Sequence, residues 1–212
     1  MTKAAVKHLS VSLTVSFLEV VPLCESNLDK ISKSLLQRFS GYGLRHLDFF
    51  RRQGDGLFDY DLTCSLLNRN VTFRFHAEGV HMSLQNARDQ KDAGIISDCL
   101  IGAFETLSDR RIRESRLEAF IHVSLNSLKE REQFLASLGP SNPKSLVRGV
   151  ILYSPAAEPF AEVRLLADRS NALEDGVFLN WTTQFIQPLT QDLLNHAASS
   201  FRNLALEIGM EL

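Results

Sequence analysis

Residues 57–84 read LFDYDLTCSLLNRNVTFRFHAEGVHMSL, and this stretch predicts a three-stranded antiparallel meander. From Phe58 to Leu66 the even positions are apolar and the odd positions are polar. Because successive side chains of a strand point to opposite faces, this alternation predicts one buried and one solvated face. After an interruption at 67–70 the apolar positions become odd, which predicts a four-residue turn that pairs Leu66 with Val71.

A second turn is predicted at Glu78-Gly79, since glycine accepts the positive φ that two-residue hairpin turns require. This turn would pair Phe75 with Met82. On the polar face the two turns would align two rows of side chains: Asp61, His76 and His81 in one, and Thr63, Arg74 and Ser83 in the other. Opposed Cβ atoms in such rows are about 5 Å apart, so these six residues form the predicted binding face.

The row of Asp61, His76 and His81 supports one hypothesis for function, a small metal-assisted or acid/base enzyme. Imidazole and carboxylate are both suitable ligands for a transition metal. The competing interpretation is an ordinary exposed pair of Asp61 and His76, with His81 beside it by chance. His122, in the second half of the chain, faces the same way and joins the candidate binding residues.

No motif in the sequence carries a recognisable chemistry. There is no glycine-rich phosphate loop, no nucleophile elbow and no HExxH sequence. The first hypothesis is therefore a noncatalytic binding or interaction protein that holds a protein or small-molecule ligand. The polar sheet face, or a groove between two halves of the chain, would form its binding surface. No cofactor is expected.

Composition limits the partners and the compartment. The 212 residues are 44% hydrophobic and 23% charged, as in an ordinary globular protein, and a net charge of −2 gives no overall field for a phosphate backbone or an anionic lipid. Nucleic acid and membranes are therefore not expected as partners. Hydroxyl residues interrupt the apolar run near the N-terminus, so a cytoplasmic protein is predicted. Of three cysteines without CxxC spacing, Cys64 and Cys99 fall on apolar faces as free thiols, whereas Cys24 is unassigned.

The remaining elements follow from periodicity and end signals. In the first half the pattern predicts a strand over 9–17, a helix from Ser26 to Phe39, a strand over 44–51, and a helix capped by Asp89 or Asp92 after the meander. In the second half it predicts a strand over 117–125, a helix opened by a Ser127–Glu130 capping box, strands near 146–153 and 160–167, and a last helix that ends at Gly209. Residues 177–186 are predicted as a further strand, with a helix as the alternative.

Each half thus follows the order strand, helix, three strands, helix. The predicted fold is α+β, with two tandem, pseudo-duplicated halves (1–108 and 117–212), a mostly antiparallel sheet of about eight strands, and helices packed on one face. Residues 109–116, rich in arginine, are predicted to be a solvated linker. In layout this order resembles the tandem folds of the TATA-binding protein type and the duplicated effector-binding domains of bacterial regulators; no motif of either family occurs, so neither function is carried over. A sheet edge at 44–52, or the last helix, offers a surface for a homodimer.

Overall fold

The computed structural model describes residues 1–20, 25–53, 60–87, 90–105, 110–138, 149–154 and 159–212. Within these ranges the strands are β1 (Thr2–Lys3), β2 (Ala5–Phe17), β3 (Phe49–Gln53), β4 (Tyr60–Leu66), β5 (Val71–His76), β6 (Gly79–Ala87), β7 (Ile112–Ser124), β8 (Gly149–Ser154), β9 (Glu162–Arg169), β10 (Gly176–Phe185) and β11 (Met210–Glu211). The helices are α1 (Glu25–Phe39), α2 (Gln90–Glu105), α3 (Leu128–Leu138) and α4 (Gln191–Glu207), with short 3₁₀ turns at Ser40–Tyr42 and His46–Asp48.

Nine strands form one sheet in the order β3-β4-β5-β6-β2-β7-β10-β9-β8, and β1 pairs with β11 in a separate parallel sheet. The predicted mixture of helices with a mostly antiparallel sheet is confirmed. The sheet has nine strands because four strands, β3 to β6, follow the first helix. The strand predicted over 44–51 is additional to the three strands of the meander, whereas the predicted repeating order counted only three. The two-residue strands β1 and β11 were not predicted, since two residues are too few to show a periodicity.

Contacts divide the described chain into two compact units. The meander unit comprises residues 11–117 and 186–190, and the terminal unit comprises residues 1–10, 118–185 and 191–212. The predicted linker is a strand from Ile112 onward, because Ser115 and Leu117 are buried and Arg116 lies on the opposite face. The alternation was missed because the buried residue at position 115 is a serine, which a search for apolar residues does not count. Asp109 lies outside the described residues.

In the meander unit, helix α1 covers the apolar face of the meander. The Phe39 ring stacks on the Phe73 ring with centroids 5.3 Å apart, and both side chains are fully buried. Gly102 of α2 lies so close to Phe39 that a Cβ there would be 2.8 Å from the ring. Burying each large apolar side chain stabilises the fold by about 1.5–3 kcal/mol, and this layer contains Leu62, Cys64, Phe75, Met82 and Leu84 besides the two phenylalanines.

The first hairpin has the predicted register. Leu66 pairs with Val71, and Cys64 pairs with Phe73, so apolar side chains lie beside one another on the helix-covered face. The turn between these strands contains three consecutive residues with positive φ: Leu67 at 53°, Asn68 at 56° and Arg69 at 70°. Left-handed backbone costs about 1–2 kcal/mol for each residue that carries a Cβ. The described part of strand β4 starts at Tyr60, and residues 57–59 lie outside the described ranges.

The second hairpin differs from the prediction by two residues. His76 pairs with Gly79 and Phe73 pairs with Met82, so the turn lies at residues 77–78. Gly79 is needed for another reason: a Cβ there would be 2.1 Å from the backbone oxygen of Val15 on β2. A glycine is therefore required at position 79 because another strand passes close to it, and not because of a turn conformation.

Other predicted boundaries also shift. Leu47 lies within the strand predicted over 44–51 but is 81% exposed, because residues 46–48 form a 3₁₀ turn and strand β3 begins only at Phe49. The Asp48 carboxylate accepts a hydrogen bond from the Arg45 backbone N–H at 2.8 Å and thereby holds this turn. Residues 177–185 belong to strand β10, which settles the choice between strand and helix. Asp89, Cys24 and residues 146–148 lie outside the described ranges.

In the terminal unit, helices α3 and α4 show the predicted end signals. The Ser127 hydroxyl accepts a hydrogen bond from the Glu130 N–H at 3.2 Å, which confirms the cap of α3. Gly209, with φ of 79°, follows the last turn of α4. Helix α4 packs on β10, where the rings of Phe201 and Trp181 meet edge to face at 6.5 Å.

We expect Gly79→Ala to destabilise the protein by about 3 kcal/mol, because the new methyl group would overlap the Val15 carbonyl and a backbone would have to shift. Gly41→Ala is the matched control, since nothing lies within 4 Å of a Cβ there and its φ is not positive. Urea unfolding of both variants measures the difference. Equal stability of the two variants would contradict the close approach of β6 to β2.

Candidate functional site

The polar face of the meander forms one row of interacting side chains. Arg74 lies opposite Thr63 on one side and opposite His81 on the other. The Arg74 guanidinium donates hydrogen bonds to the Asp61 carboxylate at 3.1 Å from Nε and 2.5 Å from Nη2. The His81 Nδ1 atom lies 3.1 Å from the Thr14 hydroxyl of β2. Ser83, predicted beside Arg74, lies opposite Thr72 instead.

The pairing of His76 with His81, which the predicted row of Asp61, His76 and His81 requires, is not formed. With the turn at residues 77–78, His76 lies opposite Gly79, and His81 lies opposite Arg74. The Asp61 carboxylate is paired with the Arg74 guanidinium, which would compete with a metal ion for its oxygens. Across the described ranges no group of three or more His, Cys, Asp or Glu side chains is arranged to hold a metal ion.

His122 lies in the terminal unit, in an aromatic cluster. Its ring is 6.1 Å from the His8 ring, edge to face, and 5.0 Å from the Phe178 ring. Its Nδ1 atom lies 2.8 Å from the Ser170 hydroxyl oxygen. That oxygen already accepts hydrogen bonds from the backbone N–H groups of residues 172 and 173. Because both lone pairs of that oxygen are used, we assign the Ser170 hydroxyl as the donor and the His122 Nδ1, unprotonated, as the acceptor.

Burial lowers the pKa of His122 below its ordinary value of 6.5, and the positive charge of a protonated His8 lowers it further. The hydrogen bond from Ser170 favours the same neutral form. His122 thus holds the loop between β9 and β10 by accepting a hydrogen bond. We therefore assign His122 a structural role in its neutral form.

A second polar site, which the sequence reasoning missed, lies on strands β9 and β10. Arg164 lies opposite Thr182, and the next residue on that face of β10 is Asn180. Arg164 Nη2 donates to the Thr182 hydroxyl at 3.4 Å, and that hydroxyl donates to Asn180 Oδ1 at 3.4 Å. We call Arg164, Asn180 and Thr182 the donor site. Polar residues on both sides of a buried tryptophan in a strand were the available sequence signal.

Two donors of this site have no acceptor. Arg164 Nε and Asn180 Nδ2 are both buried, and neither finds a hydrogen-bond partner in the part of the chain that the structure describes. Asn180 as a whole is only 7% exposed. A buried donor without an acceptor costs about 1–3 kcal/mol. Ser115 Oγ, Arg116 Nε and Trp181 Nε1 are also buried without a partner in the described residues. Arg164 and Asn180, however, carry such donors on paired strands and on the same face.

Aromatic side chains border the donor site. Phe178 precedes Asn180 by two residues on the same face of β10, and its ring stacks on that of Phe120 at 6.5 Å. Tyr153 of β8 lies opposite Arg164 and is 66% exposed. The site therefore combines a guanidinium, an amide and a hydroxyl with aromatic surface on two sides.

The two described cysteines have no role as nucleophiles. Cys64 and Cys99 are free, as predicted, and fully buried. Burial raises the pKa of each thiol to about 12, since a thiolate would lose its hydration. Both thiols stay protonated near neutral pH and act as small apolar side chains.

Comparisons with known proteins assign no family. No protein-family model and no curated protein matches the chain. Among solved structures, the chain aligns with the S. pombe RNA triphosphatase Pct1 in complex with the Spt5 CTD, at 8% sequence identity and a TM-score of 0.16, over 96% of this chain and 81% of that chain. A TM-score of this size supports neither a shared fold nor a shared function. None of the helices in the described ranges is both long and apolar enough to cross a membrane.

We expect the free energy of unfolding to fall as the pH drops below 6.5, with a contribution from His122. Its pKa is lowered in the native state, so the unfolded chain binds the proton more tightly. The stability that neutral His122 contributes is complete above 6.5 and declines as the pH falls toward the native pKa. Urea unfolding at pH 8 and pH 5.5 should show a smaller loss for His122→Gln than for the wild type.

His196→Gln, which changes an exposed histidine of α4, controls for the effect of the substitution itself. In Ser170→Ala the hydroxyl that donates to His122 Nδ1 is absent, so the pKa of His122, followed by NMR, should rise. An unchanged His122 titration in Ser170→Ala would refute the assigned direction of this hydrogen bond.

Proposed function

We propose that this chain is a noncatalytic binding protein that holds an anionic group, a carboxylate or a phosphate, at the donor site. The observation that carries the proposal is the pair of buried donors, Arg164 Nε and Asn180 Nδ2, which lack acceptors within the described ranges. Both atoms are closed to solvent in the free protein, so an anionic ligand with two or more oxygens would accept from both after the side chains that cover them move aside. Each donor would form a stronger hydrogen bond with an anionic ligand than with a neutral acceptor, because charge-assisted hydrogen bonds are roughly twice as strong.

The charge of Arg164 supports an anion over a neutral ligand. Arg164 forms no ion pair with any described residue, although the same strand carries Glu162 and Asp168. A guanidinium that is partly buried and keeps its charge is a strong attractor for a carboxylate or phosphate oxygen. Phe178 and Tyr153 would contact the apolar or aromatic part of the same ligand.

Noncatalytic binding is favoured by the state of the acid/base groups. Asp61 is engaged by Arg74. The Ser170 hydroxyl that donates to His122 Nδ1 also accepts hydrogen bonds from the backbone N–H groups of residues 172 and 173, so its oxygen is held within its own turn. The donor site itself contains hydrogen-bond donors and no general base. Binding an anion requires only a positive charge and hydrogen-bond donors, and the residues of the donor site supply both.

Two further expectations remain proposals. The orders β2-α1-β3-β4-β5-β6-α2 and β7-α3-β8-β9-β10-α4 support a pseudo-duplication in which the first half has one additional strand. The two free buried thiols support a reducing compartment such as the cytoplasm.

Arg164→Gln should weaken binding of inorganic phosphate at least about tenfold, since a hydrogen bond to a charged group is worth about 1.5–3 kcal/mol. The sole tryptophan, Trp181, lies between Asn180 and Thr182, so its fluorescence can follow a titration with phosphate or acetate. Arg202→Gln on the exposed surface of α4 is the control and should bind as the wild type does. A phosphate response that Arg164→Gln leaves intact would disprove the proposed site.

Asn180→Leu separates a binding role from a structural one. The substitution removes a buried donor that lacks an acceptor and also the long 3.4 Å hydrogen bond from the Thr182 hydroxyl to Asn180 Oδ1. Because these two effects oppose each other, we expect the stability to change by less than about 1 kcal/mol and anion binding to weaken. Urea unfolding and the same fluorescence titration measure the two effects. Lower stability without a change in anion binding would show that Asn180 serves only the fold.

A further inference from the structure

Strand β8, with the sequence GVILYS, is the last strand at one end of the nine-stranded sheet. It pairs with β9 along its whole length, from Gly149 opposite Asp168 to Ser154 opposite Val163. Its other edge has no ladder partner among the described strands. The backbone N–H and C=O groups of such an edge are a template for a further strand, so the side chains of β8 determine which strand fits.

Strand β8 lacks the features that usually protect an exposed edge. Natural edge strands carry charged residues, prolines or bulges that prevent pairing with another chain. Strand β3, at the other end of the sheet, contains Arg51 and Arg52, and the Arg51 guanidinium is paired with the Asp29 carboxylate at 2.7 Å. By contrast, β8 contains no charged residue and no proline, and its register with β9 is continuous. The edge of β8 is therefore the better surface for a second chain.

Two large side chains of β8 are exposed on the sheet face that carries the donor site. Ile151 is 50% exposed and Tyr153 is 66% exposed. On the adjacent strand, Leu166 lies opposite Ile151 and Arg164 lies opposite Tyr153. Apolar side chains that lie together on an exposed surface are typical of a protein–protein contact.

A second copy of β8 matches these side chains when the two strands run antiparallel and Ile151 lies opposite its own counterpart. Directly opposed residues of an antiparallel pair share a face of the sheet. The central row then contains Leu166 and Ile151 of one copy followed by the same two residues of the other, and every member is apolar. On the opposite face, Val150 lies beside Leu152 of the second copy. Both faces therefore continue across the contact without a change of polarity.

The rows on either side of the centre match in charge. In each of them Tyr153 of one copy lies beside Gly149 of the other, and the glycine leaves room for the aromatic ring. Arg164 ends such a row in one copy, and Asp168 ends it in the other. The two ends have opposite charges, and the twofold axis repeats this arrangement. A second copy of the chain thus supplies the complement of its own edge.

We propose that two copies of this chain form a twofold dimer by antiparallel pairing of β8 with β8, with Ile151 at the axis. Residues 149–153 of each copy form the contact. An interface of this size is small, so the dimer exchanges with the monomer and forms as the protein concentration rises. The dimer does not depend on anion binding at the donor site.

Sedimentation equilibrium of the full chain tests the dimer. The average mass of the wild type should rise from that of the monomer toward that of the dimer as the concentration increases. Ile151→Lys should stay monomeric, because two ammonium groups would meet in an apolar row at the axis. Ile186→Lys is the matched control and should dimerise as the wild type does, since Ile186 is 70% exposed and lies outside every strand. Circular dichroism of each variant verifies that it is folded.

Oxidative cross-linking tests the register. In a Cys24→Ser background the remaining native cysteines are the buried Cys64 and Cys99. Ile151→Cys should then form a disulfide-linked dimer, because opposed residues of antiparallel strands have the Cα separation that a disulfide requires. Tyr153→Cys, at a more exposed position, should cross-link about tenfold more slowly, since the two copies of residue 153 would be about 14 Å apart along the strands.

Three results would overturn the proposal. A wild type that stays monomeric at every concentration would exclude the dimer. A dimer that Ile151→Lys leaves intact would place the contact elsewhere, at the 44–52 edge or on α4. Equally fast cross-linking of Ile151→Cys and Tyr153→Cys would exclude the register with Ile151 at the axis.

Discussion

The close approach of Gly79 to the Val15 carbonyl determines how the rest of the meander unit is aligned. Only a residue without a Cβ can occupy this position, since a Cβ would be 2.1 Å from the oxygen. The Phe17 N–H donates to the Glu78 carbonyl at 2.8 Å, immediately beside this contact. Together they fix β6 against β2. Once β6 is fixed, His81 reaches Thr14, and Arg74 is left to pair with Asp61.

The two polar regions of the chain differ in how their charges are compensated. On the meander, the Arg74 guanidinium is 54% exposed and paired with a carboxylate, an arrangement that contributes at most about 1 kcal/mol to stability. On β9 and β10, Arg164 Nε and Asn180 Nδ2 are buried without acceptors. The first region is electrostatically satisfied. The second contains hydrogen-bond donors without acceptors in a place where water is largely excluded. Hydrogen bonds to a ligand are strongest in such an environment, because its effective dielectric constant is low.

The buried donors of the donor site and the positive-φ turn at 67–69 both lower the stability of the free protein. Buried donors without acceptors and left-handed residues each cost about 1–3 kcal/mol, whereas a whole domain is stable by only about 5–15 kcal/mol. The large apolar layer between the meander and α1, centred on Phe39 and Phe73, supplies stability that can offset such local costs in the meander unit. A ligand that relieves them would stabilise the folded state by linkage.

The sequence by itself determined the local structure. Alternating apolar residues defined the first hairpin and its register, because a shift by one residue would turn every side chain of a strand to the wrong face. Likewise, the Ser127–Glu130 pattern predicted the start of α3. Each of these features depends on residues that are close in the chain, and their spacing alone carries the information.

Only the tertiary structure decided which polar residues come together. A shift of the second hairpin by two residues leaves every side chain on the same face, so the hydrophobic pattern could not distinguish the two registers. The contact with Val15, more than sixty positions away, makes that choice. The donor site was invisible for a similar reason: Arg164 and Asn180 are ordinary polar residues of strands, and they become candidates only when burial and the lack of acceptors are known. Burial and pairing depend on the whole fold, and the spacing of residues along the chain does not encode them.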